Sequence, residues 1–330
     1  MSSIGLSGLP TLIDGLLVAF SFVFALNMGG SGFSPAFSAA LGARVIRKPL
    51  ALALFAVCVG IGAIVIGGHV AKTLGGGLVP AASIDRRTAL LVISSATGAL
   101  FIANLARIPE STSWVTVFAI SSLGLFRGNL NTHTILYKVL PTWLSIPPIA
   151  FLLTWFVTRR LYPLRGWNYR LYEHLSKHEW KLRALVVASS CYLAIGVGAN
   201  NVANVVAPLS TAGVFSVRTG MLLFTPVFAL GGLVFSRTAS NIGRNLVPLG
   251  LYSATIINVV VGSLVLVISW LGIPQSLVQA HVLAVFAIAL AKEGSQELGK
   301  NRVLRKIVVF WILSPLVASA LIVVQLLLFG

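Results

Sequence analysis

Ile108-Pro109-Glu110-Ser111-Thr112-Ser113 returns as Ile273-Pro274-Gln275-Ser276-Leu277-Val278, and Lys138 through Pro147 (KVLPTWLSIP) returns as Lys306 through Pro315 (KIVVFWILSP). The copies lie 165 and 168 residues apart in a chain of 330, so the repeated unit is the half chain. Proline, serine, tryptophan and lysine positions match, and not only the aliphatic ones. Half-chain duplication with Pro-, Gly- and Asn-interrupted apolar segments is how many secondary transporters build a site near the middle of the bilayer.

Composition sets the solvent. Hydrophobic residues make up 57% of the chain and charged residues 9%, too few polar groups to face water around a soluble domain of this size. Long apolar runs are expected as membrane helices at about 12–27, 50–71, 89–106, 134–158, 183–199, 219–235, 246–272 and 303–329. Four shorter runs, about 33–46, 111–126, 201–217 and 275–291, carry Ser, Asn or Gly and start beside Pro or Asn. Half-helices or re-entrant segments buried in protein are expected there. The first run lacks a preceding Lys or Arg and has Asp14 in their place, so it is expected to stay as a membrane segment.

Net charge is +17, and Arg159, Arg160, Arg165, Arg170, Lys177, Lys181 and Arg183 crowd one polar stretch at mid-chain. By the positive-inside rule that stretch faces the cytoplasm, with Trp167, Tyr169, Tyr172 and Trp180 as interfacial anchors. An anionic-lipid or nucleic-acid patch is the other reading, and the topology signal is preferred, with no nucleic-acid partner. The division expected is a first membrane repeat over 1–158, a basic linker over 159–182 and a second repeat over 183–330. Cys58 and Cys191 lie in apolar segments as packing residues, too few for a metal site or disulfide framework.

The second half holds Gly198-Ala199-Asn200-Asn201-Val202-Ala203-Asn204, three amides in an apolar stretch where each unpaired one costs about 1 to 3 kcal/mol. Asn200 and Asn204 share a helix face and present donors and acceptors together. They suit a polar ligand, or hydrogen bonds that join helices.

GANNVAN followed by Val205-Val206-Ala207-Pro208-Leu209 resembles the signature of the inorganic phosphate transporter superfamily, whose repeats carry a GANDVANA-type motif and, later, Pro-x-Ser-Thr-Thr. The second motif matches Pro109-Glu110-Ser111-Thr112-Ser113 and, more weakly, Pro274-Gln275-Ser276-Leu277-Val278-Gln279. In the first repeat the first motif is replaced by Gly29-Gly30-Ser31-Gly32-Phe33-Ser34-Pro35 after Asn27, so Gly32 and Asn201 stand where the family has aspartate. FALNMGGSG, IPESTS and GANNVAN together look like the sulfate permease branch. The resemblance implies an all-α integral membrane protein of two inverted-topology repeats, with broken or re-entrant half-helices meeting at the midplane, and suggests a homodimer.

Chemistry agrees on the substrate. Sulfate carries no proton at neutral pH and wants only donors, whereas the P–OH of phosphate rewards a carboxylate acceptor. Serines just after a proline stand at a helix N-terminus, where free N–H groups favour an anion, although ordinary capping uses the same geometry. The expected oxyanion site is Ser31, Gly32, Ser111, Thr112, Ser113, Asn200, Asn201 and Ser276, with Asn27, Glu110, Asn204 and Gln279 serving ion coupling. Glu110 is the one acidic residue beside this site and would take a proton or pair with Arg107. His69 and His281 also lie in apolar segments, as structural hydrogen-bond partners or proton relays.

The function expected is therefore ion-coupled import of a tetrahedral oxyanion by alternating access, sulfate first and phosphate second. A proton is the expected coupling ion and sodium the alternative, with no other cofactor and no metal centre. An anion channel would share the helix-terminus site without needing paired broken repeats. An enzyme would need a nucleophile, acid/base pair or metal cluster, and no such constellation is present in the sequence.

Overall fold

The computed structural model describes residues 8–105, 110–161, 166, 168–170, 173, 177–234, 250–293 and 302–329. Helices account for the described spans: α1 (Gly8–Gly42), α2 (Lys48–Val65), α3 (Gly67–Lys72), α4 (Arg86–Leu105), α5 (Thr112–Phe126), α6 (Leu140–Leu161), α7 (Glu179–Asn201), α8 (Ala203–Thr211), α9 (Val217–Val234), α10 (Leu251–Trp270), α11 (Leu277–Glu293) and α12 (Arg302–Phe329). Among the described residues eight helical segments are long and apolar enough to cross a membrane, while α5 and α11 are shorter. This is a multi-pass membrane protein.

Two of the four expected short segments are not separate. The run at 33–46 is the second half of α1, which continues through Gly29-Gly30-Ser31-Gly32 and Pro35 as one helix. Proline removes one intrahelical bond, that to the Ser31 carbonyl, and packing on both sides outweighs it. The run at 201–217 continues α7 across the single residue Val202 as α8 and then turns. The other two, α5 and α11, are the short helices expected, about 22 and 25 Å long at 1.5 Å per residue. Conversely, the run at 50–71 breaks at Ile66, whose φ of −116° ends α2, before α3 and a π-turn at Thr73–Gly77.

The two halves interlock. α1 packs on α9 and α7 packs on α2; α6 packs on α11 and α12 on α5; α4 lies on α1 and α12, and α10 on α7 and α6. Each contact thus recurs with the halves exchanged.

Glycine makes two of these contacts possible. A Cβ on Gly29 would strike the Phe228 carbonyl and one on Gly231 the Leu26 carbonyl. At the second crossing, Gly62 abuts the Ile195 carbonyl and Gly198 that of Val59. Both crossings run parallel. Phe22 meets Phe224 at 5.4 Å and Phe33 meets Gly232, while the Cys58 thiol touches that of Cys191 and Gly67 reaches the Ala199 carbonyl.

α4 and α5 form a hairpin whose ends return to one level: Arg127, just after α5, donates to the Ser83 carbonyl at 2.8 Å, and Asn129 to the Ser83 hydroxyl at 2.7 Å. The Asp14–Arg86 ion pair, at 2.6 Å, puts the start of α1 at the same end of the bundle. α10 and α11 form the counterpart hairpin. Gly272, at φ +74°, closes α10 with bonds from its own N–H to the Ser269 carbonyl and from Ile273 N–H to the Ile268 carbonyl.

Of the basic linker only part falls within the described residues, and Arg165, Trp167 and Tyr172 lie outside them, as does Arg107. Arg159 and Arg160 lie over the Trp155 and Phe156 rings, and Tyr169 and Trp180 are exposed.

Candidate functional site

The two hairpin tips meet at Asn200. Its Oδ1 accepts from the Ser113 hydroxyl at 3.1 Å and from Gln275 N–H at 3.2 Å, while its Nδ2 donates to the Ser269 hydroxyl at 2.9 Å and the Ile273 carbonyl at 3.3 Å. These four bonds fill both lone pairs and both protons of one primary amide. One side chain, wholly buried at the end of α7, therefore ties the start of α5 to the turn between α10 and α11.

The tips share a local design. Ser111 caps α5 by accepting from Trp114 N–H at 3.2 Å, and Ser276 caps α11 by accepting from Gln279 N–H at 3.3 Å. Beyond each cap the first helical amides have no intrahelical acceptor, so two helix N-termini point into the junction.

Their chemistry differs. The α5 tip continues with Thr112 and Ser113, whose hydroxyls receive Asn204 Nδ2 at 3.3 and 3.4 Å, whereas the α11 tip continues with Leu277 and Val278. Glu110 stands one residue before Ser111; its Oε1 accepts the Ser111 N–H at 2.8 Å, and Ser314 of α12 reaches the same carboxyl. Gln275, the repeat counterpart of Glu110, is fully buried, and neither atom of its amide head has a partner among the described residues. The Oδ1 atoms of Asn201 and Asn204 are likewise buried without partners among the described residues.

The structure brings Ser111, Thr112, Ser113, Asn200, Asn204 and Ser276 to this junction, with Glu110 and Gln279 in the same tips. Among the described residues neither Ser31 nor Gly32 hydrogen-bonds to this junction, although Gly32 packs one helix turn before Asn200 and Asn201. The Ser31 hydroxyl donates to its own helix at the Met28 carbonyl, at 2.7 Å, and Gly32 is closed in by Val197 and Phe228. Asn27 is engaged by Asn104 of α4, whose Nδ2 reaches the Asn27 Oδ1 at 3.1 Å. His281 donates to the Pro35 carbonyl, and His69 lies against Trp270.

Sequence reasoning passed over Gln275, Ser269, Ser314 and Asn104. Only Gln275 carried a signal, as the amide standing at Glu110's place in the other repeat. Trp143, noted in the sequence only as a residue repeated between the halves, donates from Nε1 to the Pro274 carbonyl at 2.7 Å and stacks on Trp114 at 4.7 Å, so α6 holds both tips. Among the described residues no three His, Cys, Asp or Glu side chains gather to hold a metal.

A duplicated helical bundle in which two hairpin tips converge on a buried hydroxyl- and amide-rich junction is the framework of a membrane transporter. The phosphate transporter family model matches residues 28–178 and again 165–322. The chain belongs to that family, as a transporter and not an enzyme.

The sulfate permease CysP of Bacillus subtilis is 31% identical over 92% of this chain and 84% of its own length. A putative phosphate permease of Methanocaldococcus jannaschii is 23% identical over 92% of this chain and 93% of its own. Among solved structures, a sodium-dependent phosphate transporter superimposes with a TM-score of 0.74 at 20% identity, covering 96% of this chain and 99% of that one.

Proposed function

We propose that this transporter imports sulfate, coupled to cation entry, by alternating access at the junction of the two hairpin tips. The observation that carries the reading is the α5 tip. Three consecutive hydroxyl residues stand at a helix N-terminus, wholly buried, with Glu110 the one carboxylate in that tip. Such a tip offers O–H and N–H donors to a fully ionised oxyanion and a single acceptor for a protonated one. The Ser111 and Thr112 hydroxyls and the Ser113 N–H are the proposed anion ligands, since the Ser113 O–H is already given to Asn200, with Ser276 and Asn201 contributing. Asn200 acts as the positioning residue that holds both tips.

Coupling is proposed at the atoms left over. Three of them, the Oδ1 atoms of Asn201 and Asn204 and Oε1 of Gln275, are neutral amide oxygens, which coordinate a hard cation such as sodium but do not take up a proton, and a fourth is Oε2 of Glu110. Glu110 is the group that would carry a proton. Sodium is therefore favoured over the proton expected from sequence, and Glu110 offers the other route.

Inverted topology supports the mechanism. A five-residue loop joins α1 to α2, so the two cross in opposite senses, and α2 runs parallel to α7. The first helices of the halves then point in opposite directions. Among the described residues each half has four helices long enough to span, and counting α4 with α5, and α10 with α11, as a hairpin that returns to its own side leaves three crossings, the odd number that inversion requires. The basic linker end faces the cytoplasm in this reading, and two copies form a homodimer.

Phosphate is the second reading, supported by the family description and by the fold shared with the phosphate transporter. Uptake of radiolabelled sulfate into liposomes holding the purified protein, with unlabelled phosphate as competitor, separates the two. Accumulation of sulfate unaffected by a hundredfold excess of phosphate is the result expected. Uptake of phosphate in its place would reassign the substrate and make Glu110 the acceptor of its proton.

A further inference from the structure

The second helices of the two halves, α2 and α9, lie side by side, and a groove opens between them on the outer face of the bundle. Leu52, Ala53 and Ala56 form one wall, and Pro226, Leu230 and Leu233 the other. The space between them is about 320 Å³ and almost wholly apolar. The two alanines make the depression, and the exposed leucines, Leu230 and Leu233, form its rim.

One end of the groove is basic. Lys48, Leu52 and Ala56 are spaced by four along α2 and share a face, so the ammonium of Lys48 stands one turn beyond the groove. Arg47 precedes the helix and Arg44 lies in the α1–α2 loop at φ 54°, both exposed. None of the three has an ion-pair partner among the described residues, and no acid occurs in 43–56 or 217–234.

We propose that this groove is a binding site for an anionic phospholipid, an acyl chain lying between α2 and α9 and the phosphate against Lys48, Arg47 and Arg44. The collar decides the occupant. A second copy docking here by a two-fold axis along the membrane normal would bring the same patch, and its three cations, against itself. A lipid phosphate instead offers them a counter-charge.

The test is native mass spectrometry of the full chain in detergent, offered equal amounts of phosphatidylglycerol and phosphatidylethanolamine with identical acyl chains. The wild-type protein is expected to retain one phosphatidylglycerol with at least tenfold preference, since each basic residue near a headgroup is worth about fivefold. Exchanging Arg44, Arg47 and Lys48 for Gln should bring the preference close to one. Ala53→Leu with Ala56→Leu should fill the groove and abolish retention of both lipids.

Preference unchanged in the triple Gln variant, or retention unchanged in the filled groove, overturns the proposal. So does a dimer that falls to monomer when the groove is filled, which would assign the face to a second copy. Should the filled variant fail to fold, the surface charge variant decides the matter alone.

Discussion

Asn200 and Asn201 are neighbours with opposite situations. Every hydrogen-bonding position of Asn200 is occupied by protein, so Asn200→Ala strands Ser113, Ser269, the Gln275 N–H and the Ile273 carbonyl at once. Membrane hydrogen bonds average about 0.6 kcal/mol and reach about 1.7, so a loss of roughly 1 to 3 kcal/mol is expected in detergent unfolding, together with loss of uptake. Asn201→Ala removes an oxygen that has no partner among the described residues, and its unfolding should stay within about 0.5 kcal/mol of wild type while the sodium concentration for half-maximal uptake rises. Equal destabilisation by both variants would refute the division of labour. The amide cluster itself was legible in GANNVAN. Which amide binds and which one braces was not, because the bracing partners lie 69 to 87 residues away along the chain.

Glycine at the helix crossings governs how closely the halves approach. In an exposed helix Gly→Ala is worth about 0.5 to 1 kcal/mol of added stability, and Gly15, with open space around its Cα, should follow that rule. Gly62→Ala drives a methyl into the Ile195 carbonyl and should instead lower the unfolding midpoint and the folded yield, which a paired thermal melt of the two variants measures. The same packing explains why the sequence suggested a break at Gly29–Gly32 where α1 runs on: glycine there answers the need for contact with Gly231, a need that local propensity does not reveal.

The start of α4 has its own control. Asp85 accepts Thr88 N–H and its hydroxyl, both at 2.8 Å, and these bonds with nearby Arg127 outweigh burial and hold its carboxyl below the usual carboxylate range. A lowered folded value means that the cap's contribution is complete above the unfolded value and fades as pH falls through the folded one. Asp85→Ala should cost about 1 kcal/mol near neutrality and nothing at strongly acid pH, with Asp85→Asn retaining most of the cap.

Duplication was visible because Pro, Ser, Trp and Lys recur at half-chain spacing, and the apolar runs gave the membrane helices. The exchange of partners between halves, α1 with α9 and α7 with α2, was hidden, since an apolar stripe says which face is buried and not against what. That exchange matters for transport, because tips from both halves rest on one residue, Asn200, and cannot move without redistributing its four bonds. The cycle must also be driven. A dianion entering against 100 mV, inside negative, costs about 4.6 kcal/mol, so two monovalent cations merely balance it and a third makes entry favourable by about 2.3. An inside-negative potassium diffusion potential should therefore accelerate sulfate uptake in liposomes at a fixed sodium gradient; an unchanged rate would mean two cations and slowing fewer than two, and either would sink the three-cation stoichiometry. With the potential clamped, sodium and proton gradients can be imposed separately. Glu110→Gln should leave sodium-driven uptake within about twofold if the amide oxygens hold the coupling ion, whereas loss of all drive in that variant would transfer the role to Glu110, the one carboxylate hydrogen-bonded at the α5 tip.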